Sequence, residues 1–248
     1  MPEHELWLTA LINKLLAGPT TAVLQKLGLP PENPAHPWPN FAAMEVLVAL
    51  IIILLFALLR PRLSMDRPGK LQHVFELVYG FLSGQTDGVL GHRGRPYIAF
   101  FGAIFIFVLF SNLLGIIPTL DSPTMFPPVP LGCALATFAY YNFVGLRTQG
   151  PLGYLKHFAG PVWWLSPLMF PIEIVSNLAR LLSLTIRLFA NMFAGEQVTL
   201  TFMSLFPLVL PLPFMGLHIF VSLLQAYIFA LLTMVYVGEA LPHQSAHS

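Results

Sequence analysis

Apolar residues run along this chain in blocks rather than in the short alternations of a soluble sheet protein. A bilayer span needs roughly 20 predominantly apolar residues. Residues 41–59 meet that length, with Glu45 near one end; residues 97–117 meet it with no charge at all; residues 129–146 meet it after a proline-rich loop. From 162 to 240 the chain stays apolar but is interrupted by Glu173, Arg180, Arg187 and Glu196. Proline removes a helix donor and clashes with the preceding turn, so Pro207, Pro211 and Pro213 predict a break there. Two long helices follow, over about 166–206 and 214–240. The pattern predicts an all-α integral membrane protein with about five transmembrane helices.

Two further segments are amphipathic. In residues 6–17, Leu6, Leu8, Leu11, Ile12, Leu15 and Leu16 fall along one side, as in a helix lying at an interface. In residues 68–82, Leu71, Val74, Phe75, Val78 and Phe81 share a face. Basic residues flank that second segment and favour anionic lipid by roughly 1 kcal/mol each. A solvated loop is the alternative reading of it. The chain divides into an external segment (1–40), one transmembrane domain (41–240) and a short cytoplasmic tail (241–248).

Composition agrees with a lipid solvent. The 248 residues are 56% hydrophobic and 9% charged, where soluble domains carry roughly 25% charged residues. The net charge of +1 gives no sign of a nucleic-acid partner. Cys133 is the single cysteine, so it forms no internal disulfide and reads as an apolar packing residue. The chain begins Met-Pro-Glu-His-Glu, whereas targeting peptides begin with basic residues; the N-terminus is expected to be retained.

Charge also predicts orientation. Arg60, Arg62, Arg67, Lys70, Arg93 and Arg95 lie between the first and second spans, and Arg147 and Lys156 follow the third. The loops at 118–128 and 207–213 contain no Lys or Arg. Cytoplasmic loops collect positive charge. The N-terminus is therefore expected outside, residues 60–96 inside and, with five spans, the C-terminus inside.

The chemistry lies in the last two helices. Centring an arginine in a bilayer costs at least ~2.5 kcal/mol, so such a residue faces a protein partner or a water-filled cavity. Glu173, Arg180 and Arg187 are spaced by seven, which drifts by only ~20° on a helix. Ser176, Ser183 and Asn191 fall close to the same stripe. An internal ion pair or helix–helix hydrogen bonding is the structural alternative for both arginines. On the last helix His218 and Gln225 are also seven apart, with Ser222 between them and Tyr236 further along. His218 is the one histidine of eight placed inside a predicted span. An unperturbed imidazole titrates near pH 6.5 and can shuttle protons, although a histidine bonded within the bundle fits as well.

Antiparallel running pairs these groups by depth. Glu196 and His218 are expected to meet toward the outside, Arg187 and Gln225 near the middle, with Glu173 toward the cytoplasm. The layout is two half-channels separated by an arginine.

The stretch Leu184-Thr-Ile-Arg187-Leu-Phe-Ala-Asn191-Met-Phe-Ala-Gly195-Glu196 resembles the signature of subunit a of F-type ATP synthases. His218 and the run 224–229 resemble that family's last helix, and residues 112–118 and 68–72 resemble two earlier blocks. The likeness covers about residues 40–240. Some members carry an aspartate where Gly115 stands, so no proton-handling role is assigned there. The resemblance implies a stator subunit beside a ring of c subunits, each with one membrane carboxylate. It implies peripheral-stalk b subunits and the rest of the synthase as further partners, a bacterial inner-membrane location, and steeply tilted last helices. It implies that Arg187 faces the ring and that Glu196, His218, Gln225, Asn191 and Glu173 serve the half-channels. No cofactor is expected, and no glycine-rich phosphate loop is present, so nucleotide chemistry belongs elsewhere in the complex. The coupling ion is expected to be the proton, which suits Glu196 and His218. A secondary transporter would call for internal repeats, and none is seen; a passive scaffold would not need a series of buried charges.

Overall fold

The computed structural model describes residues 6–26, 36–64, 68–117, 120–159, 166–205 and 211–241. Among them the regular structure is helical throughout. The α-helices are α1 (Trp7–Lys26), α2 (Asn40–Leu59), α3 (Lys70–Leu90), α4 (Ile98–Leu114), α5 (Pro128–Ala159), α6 (Ser166–Leu205) and α7 (Pro211–Ala240), joined in places by short 3-10 turns. Five stretches are long and apolar enough to cross a membrane: Asn40–Arg62, Lys70–Leu114, Pro128–Gly150, Pro167–Phe202 and Leu212–Ala240. Their outer faces are apolar too. Leu50, Ile53 and Leu54 on α2 and Val175 and Ile186 on α6 are each more than half exposed, an arrangement that lipid solvates and water does not.

The main core forms where α4 packs on α7 and α5 on α6. Phe101 and Val108 of α4, Leu184, Leu188 and Met192 of α6, and Phe229 and Met234 of α7 are buried together. Ala226 and Ala230, both fully buried, stand one turn apart on α7. Without a hydrophobic drive between helices in lipid, such small residues bring backbones close enough for dispersion to hold them. A second cluster joins α2 to α4 through Ala43, Met44, Val48 and Leu114.

Some boundaries differ from the sequence expectation. α1 continues past Gly18-Pro19 to Lys26, with the Thr20 and Thr21 hydroxyls donating to the Leu16 and Ala17 carbonyls at 2.6 and 2.8 Å. Its apolar face is divided: Leu6, Leu8 and Ile12 pack on the α2 cluster, while Leu11, Leu15 and Leu16 are exposed. Asn13 clamps the backbone of Trp38, accepting at 3.0 Å and donating at 3.3 Å, so α1 is tied back to the start of α2.

The second amphipathic segment is a helix, as the periodicity predicts, and runs on to Leu90. Leu71, Val74 and Phe81 are exposed, and Phe75 meets Phe56 with ring centroids 5.1 Å apart. α3 also crosses α7, where Gln85 accepts from the Tyr227 hydroxyl at 3.1 Å. The chain kinks within α5 at Gly150 (φ 72°). α7 begins at Pro211, three residues before the expected start, since proline is tolerated in a first turn; the proline turn at 207–210 and the tail from 242 lie outside the described residues.

α6 is 40 residues long. At 1.5 Å per residue that is about 60 Å, twice the ~30 Å hydrocarbon core. A helix of that length held unbroken within the hydrocarbon calls for a steep tilt.

Candidate functional site

The polar residues of α6 enter three different environments along its length, each set by what α4, α5 or α7 brings opposite. Glu196 and His218 face one another near one end. Both are more than nine-tenths buried, and both line a cavity of about 80 Å³ with Gly115, Leu120, Asp121 and Thr199. Glu196 Oε2 and His218 Nε2 have no hydrogen-bond partner among the described residues. A buried polar atom without a partner costs on the order of 1–3 kcal/mol, so both atoms are suited to a proton or water as partner. Gly195 packs directly against this imidazole: a Cβ there would stand 3.4 Å from His218 Nδ1, an ordinary van der Waals contact. A second cavity of about 260 Å³, lined by Asn191, Gly195, Thr199 and Val221 among others, adjoins the same histidine.

Toward the helix centre, Asn191 Nδ2 donates to Gln225 Oε1 at 2.8 Å. Gln225 is almost fully buried, and its own Nε2 has no partner among the described residues. Depth pairing placed Arg187 opposite Gln225; the direct partner is Asn191, one turn along α6. Arg187 itself is exposed on the outer face of α6. No salt bridge or hydrogen bond engages it among the described residues. Ser183 shares its exposure.

Arg180, on the same stripe, differs entirely. Its guanidinium is ion-paired with Glu239 of α7 and sits 5.4 Å from the centre of the Tyr236 ring. Further along, half-buried Glu173 accepts from Asn177 Nδ2 at 3.2 Å, and Asn177 Oδ1 accepts from the Tyr141 hydroxyl of α5 at 2.6 Å. Glu173 thus opens a bonded chain running from α6 into α5.

Sequence reasoning missed several residues that build the site. Asn112 of α4 joins two elements: its Oδ1 accepts from Thr124 at 2.6 Å, and its Nδ2 reaches the Ser222 carbonyl at 3.5 Å. Ser122 donates to the Ser111 carbonyl at 3.0 Å. Nothing periodic marks the loop residues Ser122 and Thr124. Glu239 was findable, since an arginine held in an apolar helix calls for an acid, and Glu239 ends the neighbouring antiparallel helix.

The sequence pattern of a family described as "ATP synthase A chain" matches residues 42–238. An ATP synthase subunit a of Solibacter usitatus is 60% identical over 234 residues, covering 94% of this chain and 100% of that protein. Subunit a of Koribacter versatilis is 52% identical, over 97% of this chain and 98% of its own length. Subunit a of Nitratidesulfovibrio vulgaris is 41% identical, over 98% and 97% respectively.

Proposed function

The chain belongs to the ATP synthase A chain family, and from that premise we propose that it forms the stationary half of a rotary proton channel, offering two offset half-channels to the carboxylates of a c-subunit ring. Its coarser role follows from family membership: a membrane-sector subunit of an F-type ATP synthase, serving proton transport and ATP synthesis. One half-channel opens to the outside through Glu196 and His218 and continues past Asn191 and Gln225. The other opens to the cytoplasm by way of Glu173. Peripheral-stalk b subunits and membrane lipids complete its surroundings. The N-terminus lies outside and the C-terminus inside, in the inner membrane of a bacterium.

The observation that carries this reading is Arg187. It lies near the middle of the Pro167–Phe202 span, exposed and without an ionic partner among the described residues. Left against lipid, the guanidinium costs at least ~2.5 kcal/mol. A carboxylate supplied by a neighbouring subunit removes that cost. The guanidinium does not lose its proton at accessible pH, so it carries no proton itself. It repels a proton crossing between half-channels, and it favours the ionised form of a carboxylate within ~4–6 Å.

The test uses the assembled complex in vesicles, with two assays: ATP-driven acidification, and decay of an imposed pH gradient without ATP. Arg187→Ala is expected to assemble, to abolish pumping and synthesis, and to leak protons passively. Arg187→Lys is expected to be severely impaired, since lysine loses the planar fork and sheds its proton when buried. Near wild-type pumping by assembled Arg187→Ala overturns the gate.

A further inference from the structure

The cavity shared by Glu196 and His218 has a third ionisable wall. Asp121, in the segment between α4 and α5, lines it as well, and the Asp121 and Glu196 carboxyls act on each other through space. The three groups differ in access. Glu196 and His218 are buried, whereas Asp121 is half-buried, so of the three it alone is partly exposed. At about 80 Å³ the cavity accommodates water, whose share of liquid volume is about 30 Å³.

The segment that carries Asp121 is sewn in place. Ser122 is fully buried and donates to the Ser111 carbonyl, and Thr124 donates to Asn112 Oδ1. At Gly115 an added Cβ would stand 2.8 Å from the Ser122 Cβ, so the absent side chain is what lets the segment close over the cavity. Among the described residues, two other ionisable groups line the cavity with Asp121. α6 brings Glu196 and α7 brings His218. α4 carries no ionisable side chain. α2 packs beneath Leu120 and carries Glu45, whose charge acts on Cys133 of α5.

Building on the half-channel reading above, we infer that Asp121 is the proton-collecting group of the outward half-channel, one step before Glu196 and His218. The Asp121 carboxylate takes a proton from hydronium at the mouth: an O–H bond forms on the carboxyl as one breaks in the hydronium, which is left as water. The carboxyl O–H bond then breaks as the proton passes through cavity water to the Glu196 carboxylate or the His218 imidazole, and the Asp121 carboxylate is regenerated. One proton enters and one leaves, with no redox change.

The experiment measures ATP synthesis by the assembled complex in vesicles, with the pH of the compartment facing the 120–127 segment set independently of the other. Asp121→Asn keeps the shape but cannot relay a proton. Its rate is expected to fall several-fold when that compartment is near neutral and to recover when that compartment is acidified; Asp121→Glu is expected to keep the rate. A wild-type rate for Asp121→Asn at every pH overturns the inference, as does a loss that acidification does not relieve. Glu196→Ala is run alongside. If it is blocked while Asp121→Asn is normal, only the collecting role falls; if Glu196→Ala is itself normal, the half-channel reading falls and this inference with it.

Discussion

The side-chain amide of Asn191 donates to Gln225 Oε1 at 2.8 Å, bridging α6 and α7 one turn from Arg187. Each amide fixes the other's orientation, and Gln225 is buried. Losing either partner leaves a polar atom unpaired. Asn191→Ala and Gln225→Ala are therefore expected to be non-additive, with a coupling of about 1 kcal/mol, read as thermal stability of the assembled membrane sector. Additive losses would mean the two amides act separately.

Glu196 and His218 share one cavity and, in the proposed path, one proton. Glu196→Ala and His218→Ala should each cut proton flux strongly, and the double substitution should cut it little further. Fully independent effects would assign the pair to helix packing instead.

Arg180 is bonded to Glu239, so its removal strands an acid rather than opening a gate. Arg180→Ala is expected to lower the stability of the assembled complex without passive proton leak. Combining it with Glu239→Gln should recover part of the loss, with a coupling near ~1 kcal/mol for this partly exposed pair. Gradient decay in Arg180→Ala vesicles as fast as in Arg187→Ala would reverse the two assignments.

Orientation is checked with introduced thiols. His92 and Pro127 are exposed, whereas Ser122, in the same loop as Pro127, is fully buried and makes a poor probe. His92→Cys should escape a membrane-impermeant reagent added outside and Pro127→Cys should react. Buried Cys133 is expected to stay silent. The opposite labelling pattern reverses the topology.

The spans were legible because lipid imposes a length on each apolar run, and the five stretches long and apolar enough to cross overlap those runs, the second also taking in α3. Depth pairing of α6 with α7 was legible too, since antiparallel helices of known rise bring Glu196 beside His218. The separate fates of Arg180 and Arg187 were not. Seven-residue spacing puts both on one stripe, and the signal that separates them lies outside α6, in Glu239, 59 positions on from Arg180 near the end of α7. The segment 120–125 was equally silent. Its role comes from folding back onto α4, through Ser122 to Ser111 and Thr124 to Asn112, and that geometry is set by tertiary closure rather than by periodicity.

The span on α6 also bears on how the protein enters its membrane. Glu173, Arg180, Arg187 and Glu196 all lie within Pro167–Phe202. At about 2.5–3.5 kcal/mol for each charge near a helix centre, the segment is a poor passenger for the insertion machinery when it emerges alone. α7 supplies the acid for Arg180 and the amide for Asn191. Biogenesis is therefore expected to be ordered, with α6 held at the translocon until α7 is synthesised and the two entering lipid as a hairpin. A nascent chain cut after residue 205 is expected to leave α6 open to membrane-impermeant reagents, and one extended through residue 241 to protect it; protection at the shorter length would show that α6 enters alone.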